Sequence, residues 1–307
     1  MGQSNGKEQS FEIDARNEVA RLDMAFGLAS IVRPARSGLE KKAIEKKQPW
    51  KGGEVTFKGI ELDDNEFGVL LALLVIAEKN PILKKGRESQ GLLPVTRKTN
   101  LASDADVVTI NTTYAEIRRI LDLKSDGRNN NDAIFSSITT LATIVVEASF
   151  DDDRAFTHLI GNGTGEENKS LSLTLSYRLT RALLGEGSYA AIEMRTFRKL
   201  RGTSRVLYAY MCAWCIECNC QKQTSIIRLV ERVYGRSSNE LSASSMKNYR
   251  RAIRNGFKQI EQISDKFNFR VVGEIVAVQK ITPRTGLHRQ PYLATPTKLR
   301  KSYCSEI

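Results

Sequence analysis

The stretch SASSMKNYRRAIRNGFKQIEQI, residues 242–263, carries two separate stripes at helical spacing. Met246, Tyr249, Ile253, Phe257 and Ile260 recur every three or four residues and form one apolar face. Lys247, Arg251, Arg254 and Lys258 follow on a different face, bordered by Asn248, Arg250 and Asn255. No acid lies between Glu240 and Glu261, so this face lacks the opposite charges that an ordinary solvated helix interleaves. A helix that packs by one side and offers cations and amides from the other suits a DNA major groove. The pattern predicts a recognition helix.

The flanks extend this into a fold. TSIIRLVERVYG supplies a partner helix, and KFNFRVVGE with IVAVQKITP supplies a β-hairpin after the recognition helix. GTSRVLYAYMCAWCIEC precedes them as a buried helix, after the strand SLSLTLS, the short helix YRLTRALLG and the extended SYAAIEM. A similar order occurs earlier. EVTFKGIEL is a strand, NEFGVLLALLVIAEK a helix apolar nearly all round, VVTIN a strand and TTYAEIRRILDL a capped helix. Residues 129–141 make another helix, and TIVVEASFDDDRAFTHLI a hairpin. The expected fold is α+β, with two tandem winged-helix domains.

The expected boundaries are a partly ordered basic N-terminal arm (1–50), a first winged helix (51–160) and a Gly/Asn/Glu linker (161–169). A second, DNA-binding winged helix (170–282) and a basic C-terminal tail (283–307) complete the chain. Within the arm, FEIDARNEVARLDMAFGLASIV has helical periodicity. Seven cations at residues 33–51 mark either a solvated linker or a DNA-contacting arm.

Charge supports a polyanionic partner. Lys and Arg outnumber Asp and Glu by 47 to 35, and residues 241–307 hold 13 basic against 4 acidic side chains, +9 of the net +12. Such a surplus favours nucleic acid through counterion release and makes binding salt-dependent. The longest apolar run, residues 67–77, has 11 residues and is too short to cross a bilayer. Five cysteines, four of them between Cys212 and Cys220, do not resemble a secreted disulfide framework, so a cytoplasmic location without a membrane partner is expected.

Cys212, Cys215, Cys218 and Cys220 invite a metal reading, but the first two sit among core-like residues and no second pair follows at finger spacing. No metal or other cofactor is expected. An enzyme is not expected either. His158 and His288 are far apart, LHRQPY has Pro291 where a recombinase box requires Arg, and no GxxxxGK[ST] loop occurs.

The candidate DNA-binding residues divide by chemistry. Asn248, Arg250, Arg251 and Arg254 suit base edges, since Arg fits guanine and Asn fits adenine bidentately. Lys247 and Lys258, with Ser244 and Ser245 at the helix start, suit phosphates. Arg270 and Lys280 are expected on the wing. In the first domain Arg128, Asn129 and Ser136 form a weaker polar face, and Arg97 and Lys98 lie in a polar connection.

The run YRLTRALLGEGSYAAIEMRTFRKLRGTSRVLYAYMCAWCI, followed by TSIIRLVERVYG and SMKNYRRAIRNGFKQIEQI, resembles the replication initiators of IncQ-type plasmids, the replication protein C group, most clearly over residues 170–275. It is similar, more distantly, to the TrfA type of initiator. The resemblance implies an initiator that binds directly repeated origin sequences (iterons) in double-stranded DNA and helps open the adjacent duplex. It also implies recruitment of a replicative helicase, with a primase or host initiator as further partners and a monomer–dimer equilibrium. It places the DNA-reading helix on residues 245–258. The alternatives are a winged-helix transcriptional regulator using the same helices, and a docking protein whose basic tail binds an acidic partner.

Overall fold

The computed structural model describes residues 18–35, 40–50, 53–79, 108–124, 128–150, 153–165, 170–185, 187–216 and 220–281. Strand β1 (Val19–Asp23) leads through α1 (Met24–Leu28), β2 (Val32–Arg33), β3 (Ala43–Trp50), β4 (Gly53–Ile60) and β5 (Leu62–Asp63) into α2 (Asp64–Lys79). Then come β6 (Thr109–Thr113), α3 (Tyr114–Leu121), α4 (Arg128–Ala142), β7 (Val145–Phe150), β8 (Asp153–His158) and β9 (Ile160–Gly165). The second half runs β10 (Ser170–Leu175), α5 (Tyr177–Leu183), β11 (Tyr189–Glu193), α6 (Met194–Lys199), α7 (Thr203–Trp214) and β12 (Gln221–Ser225). It closes with α8 (Ile226–Tyr234), a short 3-10 turn, α9 (Ala243–Ile263), β13 (Phe267–Val272) and β14 (Ile275–Lys280).

The helices start where side chains satisfy their orphan amides. At α2 the Asp63 carboxylate accepts from the Asn65 and Glu66 amides at 2.9 Å, and Glu66 accepts back from the Asp63 amide at 2.9 Å, a reciprocal capping box. Thr113, Ser176, Ser225 and Ser242 cap α3, α5, α8 and α9 in the same sense. Helix α8 ends on Gly235 at φ +64°, the left-handed conformation that suits glycine. Helix α2 is buried on almost every side, as its unbroken apolar run requires.

In the second half, β12, β14 and β13 form one antiparallel sheet, with α8 and α9 inserted between β12 and β13. In the first half the hairpin β7–β8 extends β3–β4 into four strands, while β6 pairs with β10, which pairs with β9. Strand β1 pairs antiparallel with β11, and a short parallel pair joins β2 to β5. One contiguous apolar cluster runs through both halves.

Three expectations on chain organisation change. The span read as a helical, partly ordered arm contains β1 and α1, with Ala20, Leu22, Met24 and Phe26 in the core. An alternating stretch and a helical stripe look alike over five residues. The basic stretch beyond it contributes edge strand β3, whose outward charges and Pro49 protect an open sheet edge. Three of its cations are paired: Arg33 with Glu61 at 3.2 Å, Lys41 with Asp63 at 3.3 Å and with Glu66, and Lys47 with Glu54 at 3.2 Å. The linker placed at 161–169 begins as β9, hydrogen-bonded to β10, so the boundary drawn there falls between paired strands. Glycines at 161, 163 and 165 read as loop, but the ladder supplies what their missing side chains do not. The tail at 283–307 lies outside the described residues, as do Arg97 and Lys98.

Candidate nucleic-acid interface

Helix α9 packs on α7 and α8 through Ile253, Gly256, Phe257 and Ile260, all buried, with Met246 and Tyr249 partly buried at its upstream end. The Tyr249 ring stacks on Tyr234 at 4.1 Å, and Phe257 packs on Phe269 of β13 at 4.7 Å. These contacts fix the helix's rotation, so the opposite face is held outward.

That face presents Lys247, Asn248, Arg251 and Lys258 to solvent. The Arg251 guanidinium donates to the Asn248 side-chain oxygen at 3.4 Å, which places a guanine-type and an adenine-type reader side by side. Among the described residues no acid pairs with Lys247, Arg251 or Lys258. At the helix start the Ser242 hydroxyl lies 3.0 Å from those of both Ser244 and Ser245 and accepts from the Ser245 amide at 3.2 Å. The two serines expected to hold phosphate therefore belong to the capping cluster, with Ser244 exposed at its edge.

Two predicted base readers are held differently. Arg254 donates to Glu274 at 2.9 Å and to the Gly273 carbonyl at 3.1 Å, and the Arg250 guanidinium lies 3.5 Å from the same carboxylate. Neither is turned freely outward like Arg251. Both are engaged by the turn of the β13–β14 hairpin.

The hairpin also departs from expectation. Its tip is Val272, Gly273 and Glu274, with Val271 and Val272 exposed and Gly273 at φ +58°. Lys280 sits at the opposite end of β14, opposite Phe267 in register, and donates to the Ile216 carbonyl at 3.2 Å. Five residue steps separate it from Ile275 at the start of β14, on the order of 17 Å, so it is not a contact at the hairpin tip. Arg270 is half-buried mid-strand opposite Ala277. Sequence reading missed Glu274; the signal was the Val-Val-Gly-Glu turn facing a cationic helix.

In the first half Arg128, Asn129 and Ser136 are exposed on α4, with Arg128 4.0 Å from Asp132. Phe135 stands among them, 55% exposed. This surface is polar and nearly uncharged, the contrast with α9 that the sequence implied.

Cys212 and Cys215 are buried in or beside α7, and desolvation pushes each thiol up to about 12. Among the described residues no cluster of three His, Cys, Asp or Glu side chains could hold a metal, and no helix is long and apolar enough to cross a membrane.

A family model described as Replication protein C (RepC) matches residues 38–275. A crystal structure of domains 2 and 3 of RctB superposes with a TM-score of 0.54 at 8% identity, covering 84% of this chain and 98% of that one. At that identity the likeness concerns the fold. A second crystal structure of RctB domains 2–3 gives 0.49 at 10% identity, covering 84% and 97%. No curated protein matches the chain in sequence.

Proposed function

The chain belongs to the replication protein C family of plasmid replication initiators, and from that premise we propose that it binds directly repeated origin sequences in duplex DNA through α9. In this reading both halves act as winged helices. The β12–α8–α9–β13–β14 unit reads base edges, and the α4 surface makes a weaker polar contact or faces a protein partner. The observation that carries it is the outward stripe of Lys247, Asn248, Arg251 and Lys258 on a helix whose other side is locked into the core.

The chemistry follows from position. Asn248 and Arg251 offer bidentate pairing to adenine and guanine, while Lys247 and Lys258, eleven residues apart, lie roughly 16 Å from each other along the helix and suit flanking phosphates. The role is binding and duplex opening without strand cleavage, in the cytoplasm. A replicative helicase is recruited to the opened segment, with a primase or host initiator as further partners.

Selection of bound sequences from random DNA at a fixed, stated salt concentration tests this. Recovered motifs should recur as spaced direct repeats in an origin, and the protein should open a supercoiled template next to them. A lone operator-like site without opening would favour a transcriptional regulator. Absence of duplex binding would end the reading.

A further inference from the structure

Among the described residues Glu274 is the one acid that pairs with the cationic helix from the hairpin tip, an unusual placement on a surface that must attract phosphates. Its Oε1 accepts from Arg254 at 2.9 Å, and its Oε2 lies 3.5 Å from Arg250 Nε. Both of the latter atoms are shielded from solvent, yet neither makes a directed hydrogen bond. The Gly273 carbonyl takes a second bond from Arg254 at 3.1 Å, so the tip and the helix are latched by one acid and one carbonyl.

The latch contributes little to stability. The Arg254 and Glu274 side chains are 41% and 42% exposed, and an ion pair this open to water is largely screened. It also opens onto space. Leu241, Met246, Arg250, Arg254 and Glu274 line a cleft of about 520 Å³ between α8, α9 and the tip. On this measure one water needs only about 10–15 Å³, so the cleft opens the latch to solvent and small ions.

Resting on the DNA-binding reading above, we infer that Glu274 is a specificity-determining residue. Its carboxylate occupies the position of a DNA phosphate between Arg250 and Arg254, and it withholds those two cations from duplexes that α9 does not fit. An approaching phosphate must displace a like charge before it gains either guanidinium. Non-specific DNA therefore draws mainly on the open Lys247, Arg251 and Lys258. Only a duplex seated by Asn248 and Arg251 brings its backbone close enough to make the exchange. Raising the free energy of the wrong complex is as effective for discrimination as lowering that of the right one.

The test uses the full chain and a short random-sequence duplex, with affinity measured by fluorescence anisotropy across a salt series. Glu274→Gln keeps the side chain's shape and removes its charge. It should bind random duplex on the order of tenfold tighter at low salt, with a salt slope steeper by about one to two units as the two cations are released. Glu274→Asp, which retains the charge, should keep the wild-type slope. A folded Glu274→Gln protein with an unchanged or flatter slope overturns the inference. Arg254→Gln supplies an independent check should the first variant fail to fold. It should change the slope by less than about half a unit, because that cation is already neutralised, and a loss of a full unit overturns the inference. A wild-type chain with no salt-dependent duplex binding would instead remove the function proposed above together with this inference.

Discussion

Residues that share a helix face need not share a state. Arg251 and Arg254 are one turn apart on α9, but the first is exposed beside Asn248 and the second is latched to the hairpin. Arg251→Ala should cost roughly 1–3 kcal/mol of specific binding and relax one position of the recovered motif. Lys258→Ala should weaken all duplexes alike and flatten the salt slope by about one unit. Equal losses of specificity from both variants in a binding series would contradict this division. A stability prediction concerns Gly235, whose left-handed conformation ends α8. A Cβ there would overlap the Arg33 guanidinium, which donates to the Arg232 carbonyl at 3.0 Å and pairs with Glu61. Gly235→Ala should lower unfolding free energy by about 2–4 kcal/mol in urea melts; a change below about 1 kcal/mol would refute the strain argument.

At the scale of elements, α7 illustrates how burial sets chemistry. Cys212 and Cys215 occupy positions at or beside its end where neighbouring apolar residues exclude water, and their thiols are held protonated up to about 12. The folded value lies above the unfolded one near 9, so the proton is bound more tightly in the fold. Their contribution to stability is fully present below about pH 9 and declines as pH rises toward about 12, by up to about 1.4 kcal/mol per pH unit per thiol. Melts between about pH 8 and pH 10 should therefore show stability falling as pH rises. Iodoacetamide at about pH 8 should leave both residues unmodified in native protein and label them in denaturant. Rapid native labelling would contradict their burial.

Across the whole molecule, buried carboxylates join segments distant in sequence. Glu18 accepts from Lys79 of α2 at 2.6 Å and Arg198 of α6 at 2.9 Å, and Asp23 pairs with Arg178 of α5 at 2.9 Å. Asp64 at the start of α2 takes Arg205 of α7 at 3.2 Å and the amides of Ala35 and Gly202. Asp64→Ala would strand the Arg205 guanidinium, whose side chain is 9% exposed, and should cost about 3–5 kcal/mol. Calorimetry should show both halves losing stability together in one transition, since their core is continuous. Separate transitions, with only one half shifted, would argue against a shared core.

Local pattern was enough for most of the regular elements. Capping residues, the unbroken apolar run of α2 and the two-stripe pattern of α9 each depend on neighbours within a few residues, and these were legible. The same holds for the outward set of Lys247, Asn248, Arg251 and Lys258. What lay beyond reach was pairing across the chain. That β1 joins β11, that β6 joins β10, and that Arg33 and Lys41 are paired with acids depend on partners 22 (Lys41–Asp63) to 174 (Val19–Glu193) positions away. Nothing in a short window encodes them. The states of Arg250 and Arg254 belong to this second group. That a cationic helix face exists follows from local residue order, because helical periodicity is local. Which of its cations stand open is settled by long-range folding, because a carboxylate twenty residues onward from Arg254 reaches it through the hairpin.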